Sequence, residues 1–267
     1  MPDGNFASLR DRYFRDGFVT GIPILDPQEA ATFRRELEVA ETRFGGSMHY
    51  VLFPNLIFRS ADRLLRHPRL LDAVEAILGP DVMAYECAYI IKEPGNMKKV
   101  SWHQDLTYWG LDTDDIVSAW LALSPATVES GCMRMIPGSH TIGKQHHVDL
   151  READNILSRG QTIQNVDEAA AVSAALAPGE LSVHHGWTMH ASQPNRSSDR
   201  RIGFNAVFMK PGVRQKVQAR ECAILMRGRD EYGYYDALPP VLQDFDPDLM
   251  ALREEVDRRR NATWQTG

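Results

Sequence analysis

The chain has 267 residues, 43% of them hydrophobic, enough to bury the core of one large domain or two small ones. Its 30 basic and 36 acidic residues give a formal charge of −6, so no basic face is expected for nucleic acid, and no apolar run reaches the roughly 18 residues a membrane span needs. Three widely spaced cysteines, Cys87, Cys132 and Cys222, suit neither a disulfide framework nor a zinc knuckle, and the N-terminus carries no signal-like apolar stretch; we expect a cytoplasmic protein with no membrane or nucleic-acid partner.

In chain order, "FVTGIPIL" (18–25) reads as a short strand. "DPQEAATFRRELEVAETRF" (26–44) reads as a helix: Asp26 can cap it, Pro27 suits the first position and Glu29 sits in the first turn. "HPRLLDAVEAILGP" (67–80) is a second helix, opened by Pro68 and stopped by Gly79-Pro80. From about residue 81 the pattern changes to short β-rich runs bounded by Gly, Pro, Asn or Asp: "DVMAYECAYIIKEPG", "DIVSAWLALS", "GCMRMIPGSH", "GELSVHHG" and "RIGFNAVFMK". The polar stretch 141–177, with a helix-like "VDEAAAVSAALA", reads as an excursion over the mouth of the β-structure. The tail "DPDLMALREEVDRRR" repeats the helix-start logic with Asp246 and Pro247. We expect one α+β domain: helices over 1–80, a β core over about 81–210 with the insert 141–177, and an extension over 211–267. A sandwich or jelly-roll barrel suits its centre.

The chemistry concentrates in "SWHQDLTYWG" (101–110). On a strand, His103 and Asp105 would point to one face. Two imidazoles and a carboxylate on one side of a metal make a mononuclear iron site with open positions. The third ligand has three candidates, His184, His185 and His190. In "MHASQPNRSSDRRIGF" the cluster "SQPNRSSD" reads as a turn. A symmetric hairpin would set His190 opposite Arg201 and place a guanidinium beside that ligand. Arg201, Gly203 and Asn205 then share a small polar face, and Ile202, Phe204, Ala206 and Phe208 the core face. A ferrous ion on two neutral imidazoles and one aspartate keeps one positive charge. A chelating 2-oxo dicarboxylate brings two negative charges, and one buried arginine restores neutrality while gripping the distal carboxylate. The site therefore suits 2-oxoglutarate, with Ser192 as a further hydroxyl donor and Trp120 as a wall of the pocket. Against this stand two alternatives: a surface turn for His103 and Asp105, and a metal-dependent β-barrel of another class, such as a cupin-like isomerase or hydrolase.

"WHQD", "AWLALS", "SGCMRMIPGSH", "GELSVHHGWTMHASQPNRS" and "RRIGF", with the opening "YFRDGFVTGIPILDPQEA", together resemble the phytanoyl-CoA dioxygenase family of Fe(II)/2-oxoglutarate oxygenases, from about Phe14 to Lys210. The resemblance implies a double-stranded β-helix with flanking helices. It implies iron held by His103, Asp105 and His190, and 2-oxoglutarate bound by Arg201 with help from Ser192, Gln104 and Trp120. It further implies that O2 and 2-oxoglutarate are converted to succinate and CO2 while a C–H bond of a small metabolite is hydroxylated; a halogenating branch lacks the carboxylate that Asp105 keeps. Tyr108, Trp109 and Tyr89 are candidates for substrate contact. We expect Lys92 at the surface, His146 and His147 exposed, Arg134 in a structural ion pair, and His185 behind the metal ligands.

Overall fold

Capping chemistry starts the helical half. The computed structural model describes residues 4–149, 155, 161–216 and 220–266. Helix α1 (Gly4–Asp16) and strand β1 (Phe18–Pro23) precede α2 (Pro27–Phe44). Asp26 caps α2 through the backbone N–H groups of Gln28 and Glu29, and Glu29 returns a carboxylate to the Asp26 N–H, the reciprocal box the sequence suggests. Such a cap is worth about 1 kcal/mol. Helix α3 (Arg59–Leu65) leads to α4 (Pro68–Leu78), which buries Leu70, Leu71, Val74, Ile77 and Leu78 along one stripe. Helices α1 and α3 are additional to the elements expected from the sequence.

The β half comprises β2 (Val82–Lys92), β3 (Val100–His103), the short helix α5 (Leu106–Trp109), β4 (Ile116–Ala122), β5 (Met133–Met135), β6 (His147–Asp149), β7 (Gln161–Ile163), β8 (Val172–Ala174), β9 (Glu180–His184), β10 (His190–Ser192), β11 (Arg201–Met209), β12 (Cys222–Arg227) and β13 (Asp236–Ala237). A seven-stranded sheet runs β1-β9-β4-β11-β2-β12-β13, antiparallel except for its last pair, and a four-stranded antiparallel sheet runs β3-β10-β5-β8. Helix α6 (Pro247–Thr266) closes the chain, with Asp246 accepting from the N–H groups of Asp248 and Leu249. The architecture is mixed α/β around a large antiparallel core. Among the described residues no helix is long and apolar enough to cross a membrane.

The large sheet separates two environments. On its helix side Tyr89, Leu121, Val183, Ile202, Phe204 and Phe208 join the helices in one apolar core. On its other side Trp120 and Ala122 meet Met133, Met135 and Ala174 of the small sheet. The alternation read along β11 therefore holds.

Two expectations fail. β10 and β11 form no hairpin: β10 pairs with β3 and β5, β11 with β2 and β4, so "SQPNRSSD" is a corner between sheets. A turn cluster permits either geometry, and each flanking strand here is held between two other strands. The helix-like "VDEAAAVSAALA" makes only one 3-10 turn (Glu168–Ala170) before β8, where pairing with β5 overrides alanine's helical preference. Within the insert, 150–154 and 156–160 lie outside the described residues.

Candidate metal centre

His103 ends β3, Asp105 starts α5 and His190 opens β10, so the first two ligands straddle a strand-to-helix junction rather than one strand. β3 and β10 put His103 and His190 in register, with ring centroids 4.1 Å apart. Asp105 Oδ1 lies 3.4 Å from His103 Nε2 and 3.5 Å from His190 Nε2, and the three donor atoms lie within 4.8 Å of one another. Each ligand is oriented from behind. His103 Nδ1 donates to Ser101 O at 2.8 Å and His190 Nδ1 to Thr188 O at 3.0 Å, which leaves both Nε2 lone pairs facing the shared point. The outer oxygen of Asp105, Oδ2, accepts from Ser118 Oγ at 2.8 Å and from His184 Nε2 at 3.0 Å.

Electrostatics suits a cation. Burial raises the Asp105 carboxyl, but the neighbouring His190, His103 and His184 outweigh it and hold the group well below the usual carboxylate range. Burial, then the neighbouring His103, pushes His190 down to about 3, so it is a neutral ligand at ordinary pH. The donor set therefore fits a divalent ion of the Fe(II) kind, with two nitrogen ligands, one oxygen and a free side toward the cavity.

That cavity, of about 610 Å³, is lined by both sheets: Trp120, Arg201 and Asn205 from one, His103, His190, Ser192 and Met133 from the other. Arg201 is 1% exposed, donates from Nη1 to Gly131 O at 2.9 Å and lies over the Trp120 ring, with Nε unpartnered. Burial pushes it down to about 10. Gly203 makes room for this wall, since a Cβ there would fall 1.9 Å from the Trp120 ring.

The predicted residues divide. His103, Asp105, His190, Arg201, Ser192, Trp120, Tyr108 and Trp109 all line the cavity. Gln104 does not: its amide donates to Gly143 O and Trp187 O and accepts from Gln145 N, tying down the loops beside the site. Tyr89 is buried on the helix side against Phe58 and Phe204, away from the cavity. His184, weighed as a ligand, supports Asp105 instead. His185 faces Asp114, His140 and Tyr13, so the group behind the ligands is His184. His146 is exposed, but His147 is half-buried against Tyr108. Arg134 forms the expected structural pair, with Glu168 at 2.6 Å. Lys92, expected at the surface, is 0% exposed.

The far wall is not among the features expected from the sequence. Glu86 lines the cavity on the same face of β2 as Ala88 and Ile90, and the bulge beyond it, where Val207 faces Glu86 and Phe208 faces Ala84, leaves Tyr85 as the extra residue. Tyr50, Asp257 and Asn261 line it from remote segments. Glu86 is raised to about 7 by burial, which outweighs the attraction of Arg260.

Fold and site define a class: a mixed α/β protein whose antiparallel core carries a two-histidine, one-carboxylate site open to a cavity. The family model for phytanoyl-CoA dioxygenase matches residues 13–203. The chain belongs to that family. A probable alpha-ketoglutarate-dependent hypophosphite dioxygenase of Stutzerimonas stutzeri is 26% identical over 191 residues, 69% of this chain and 62% of that one. The peroxisomal phytanoyl-CoA dioxygenase of Bos taurus is 32% identical over 162 residues, 57% and 47% of the two chains. The chain thus spans about half to three-fifths of the length of these curated relatives. Among solved structures, the apo form of the non-heme monooxygenase ThoJ is 31% identical, with 97% of this chain and 98% of that one covered and a TM-score of 0.86.

Proposed function

We propose that the protein is an Fe(II)/2-oxoglutarate-dependent oxygenase that hydroxylates a C–H bond of a small metabolite, on a double-stranded β-helix core. One observation carries this reading: the two Nε2 atoms and Asp105 Oδ1 converge on the same cavity as a buried arginine that, among the described residues, has no carboxylate partner. An isomerase or hydrolase on the same ligands has no use for that arginine.

His103, Asp105 and His190 would hold the iron. Bound there, iron would supply the coupling of 2-oxoglutarate decarboxylation to oxidation of the substrate. The chain's own residues do the rest. Arg201 holds the distal carboxylate with Ser192 beside it and so fixes which way the oxoacid lies. Ser118 and His184 occupy Asp105 Oδ2, directing Oδ1 to the metal point. Trp120, Met133 and Ala191 line the cavity with apolar surface that excludes water. Tyr108 and Trp109 are placed to meet the substrate.

The test is anaerobic titration of the iron-loaded protein with 2-oxoglutarate. A weak visible charge-transfer band should appear, and Asp105→Ala should lose both the band and succinate formation. Full turnover in that variant, or no band in well-loaded wild type, would sink the reading.

A further inference from the structure

Two buried basic side chains stand side by side where the sheets meet. Arg201 and Lys92 face each other in register on β11 and β2, and are 1% and 0% exposed. Among the described residues neither has a carboxylate partner: Arg201 bonds a carbonyl, and Lys92 Nζ donates to Ser192 Oγ at 2.6 Å, Gln193 O at 2.6 Å and Ser192 O at 3.3 Å. A buried ion without a counter-ion is costly, and two together cost more. The fold keeps both, which points to an anion from outside the chain.

Arg201 can reach that anion, because it lines the cavity with Nε unpartnered. Lys92 cannot. An ammonium has three donors, and all three are spent on Ser192 and Gln193. Its influence therefore passes through Ser192, which does line the cavity. A serine oxygen that accepts from an ammonium keeps its own O–H free to donate. We propose that Lys92 is a positioning residue of the 2-oxoacid site: its ammonium commits the Ser192 hydroxyl to donating to the carboxylate that Arg201 holds. This rests on the 2-oxoglutarate reading above.

The state of Lys92 then depends on the anion. Without one, burial and then Arg201 push Lys92 down to about 6, with only Cys132 pulling the other way; His49, itself held down to about 4 by burial, feels the same two cations. A carboxylate on Arg201 cancels that repulsion and favours the ammonium. Binding of the dicarboxylate thus takes up a proton above about pH 6. Affinity is full below that pH and falls as pH rises, until Lys92 is neutral in the complex as well.

The experiment follows the same anaerobic band with iron-loaded protein from about pH 6 to about pH 8.5. For 2-oxoglutarate in wild type, Kd should weaken roughly tenfold across the range. For 2-oxobutyrate, which lacks the distal carboxylate, it should stay flat. Lys92→Met should bind 2-oxoglutarate roughly tenfold more weakly at the low end and lose the slope, and Ser192→Ala should lose most of it with Lys92 intact. An equal slope for both acids in wild type overturns the proposal without any variant. So does a slope that survives in Lys92→Met, or full persistence in Ser192→Ala, which would remove the serine from the relay. Absence of the band for wild type at every pH strikes the iron and 2-oxoglutarate reading instead.

Discussion

Arg201 and Arg260 are both 1% exposed, and the chain treats them oppositely. Arg260, on α6, lies over the Tyr85 ring at 3.5 Å, donates to two backbone carbonyls and sits 3.4–3.5 Å from Glu221 and Glu86. Burial lowers it, but Tyr85, Glu221 and Glu86 outweigh that, and its net shift is upward. Among the described residues Arg201 has one carbonyl, an aromatic face and no acid, and its shift is downward. One charge is completed by the fold and serves packing. The other is left incomplete, and an incomplete buried charge is a place for a ligand.

The most severe way to break this contrast is Arg260→Met. Removing the cation strands Glu86 and Glu221, and breaking such a buried pair costs about 3–5 kcal/mol. Thermal unfolding should show the loss, while the 2-oxoglutarate band of the folded fraction persists. Arg201→Met should do the reverse. Truncating the cationic half of a buried charge pair costs about 2–5 kcal/mol of binding, so the Kd for 2-oxoglutarate should rise at least about thirtyfold, with no fall in Tm of the ligand-free protein. If Arg201→Met lowers Tm as far as Arg260→Met does, the contrast is lost.

Acid sharpens the same point across the metal-free site. His49 and His185 are pushed down to about 4 and His190 to about 3, and Lys92 to about 6, in each case chiefly by burial. The unfolded chain therefore binds more protons at these groups, and their contribution shrinks as pH falls. Glu86, raised to about 7, works the other way. Four groups against one predict a net loss of about 2 kcal/mol between pH 7 and pH 6, read from urea midpoints. The smallest effect expected is that of Gln104→Ala. Water can replace part of its bonding at the half-buried 143–145 loop, so about 1 kcal/mol of stability should go, with the Kd for 2-oxoglutarate nearly unchanged. A large rise in that Kd would return Gln104 to the co-substrate.

What was legible in the sequence was local or periodic. Asp26, Pro27 and Glu29 announce α2, and two-residue alternation announces the polar face of β11. His103, Asp105, His190 and Arg201 stood out because their chemistry is costly anywhere but a site. What stayed hidden depends on which strands meet. The turn cluster after His190 looks the same whether it closes a hairpin or crosses between sheets. Lys92 ends an apolar strand, where lysine ordinarily reaches water; here the Ser192–Gln193 backbone and Asn195, which donates to Lys92 O, enclose it. Glu86 shares the cavity face of β2 with Ala88 and Ile90, but which face of that strand meets a cavity depends on the strands packed against it.

Helix α6 lies wholly beyond residue 203, where the family match ends. Yet it supplies Asp257 and Asn261 to the cavity and clamps Glu86 through Arg260. The residues proposed to hold iron and the oxoacid thus belong to one stretch of polypeptide, and part of the opposite wall to another. On the proposed function, exchanging the tail would reshape what the cavity accepts while leaving the metal and oxoacid residues in place, so selectivity and reactivity could be edited separately in this chain.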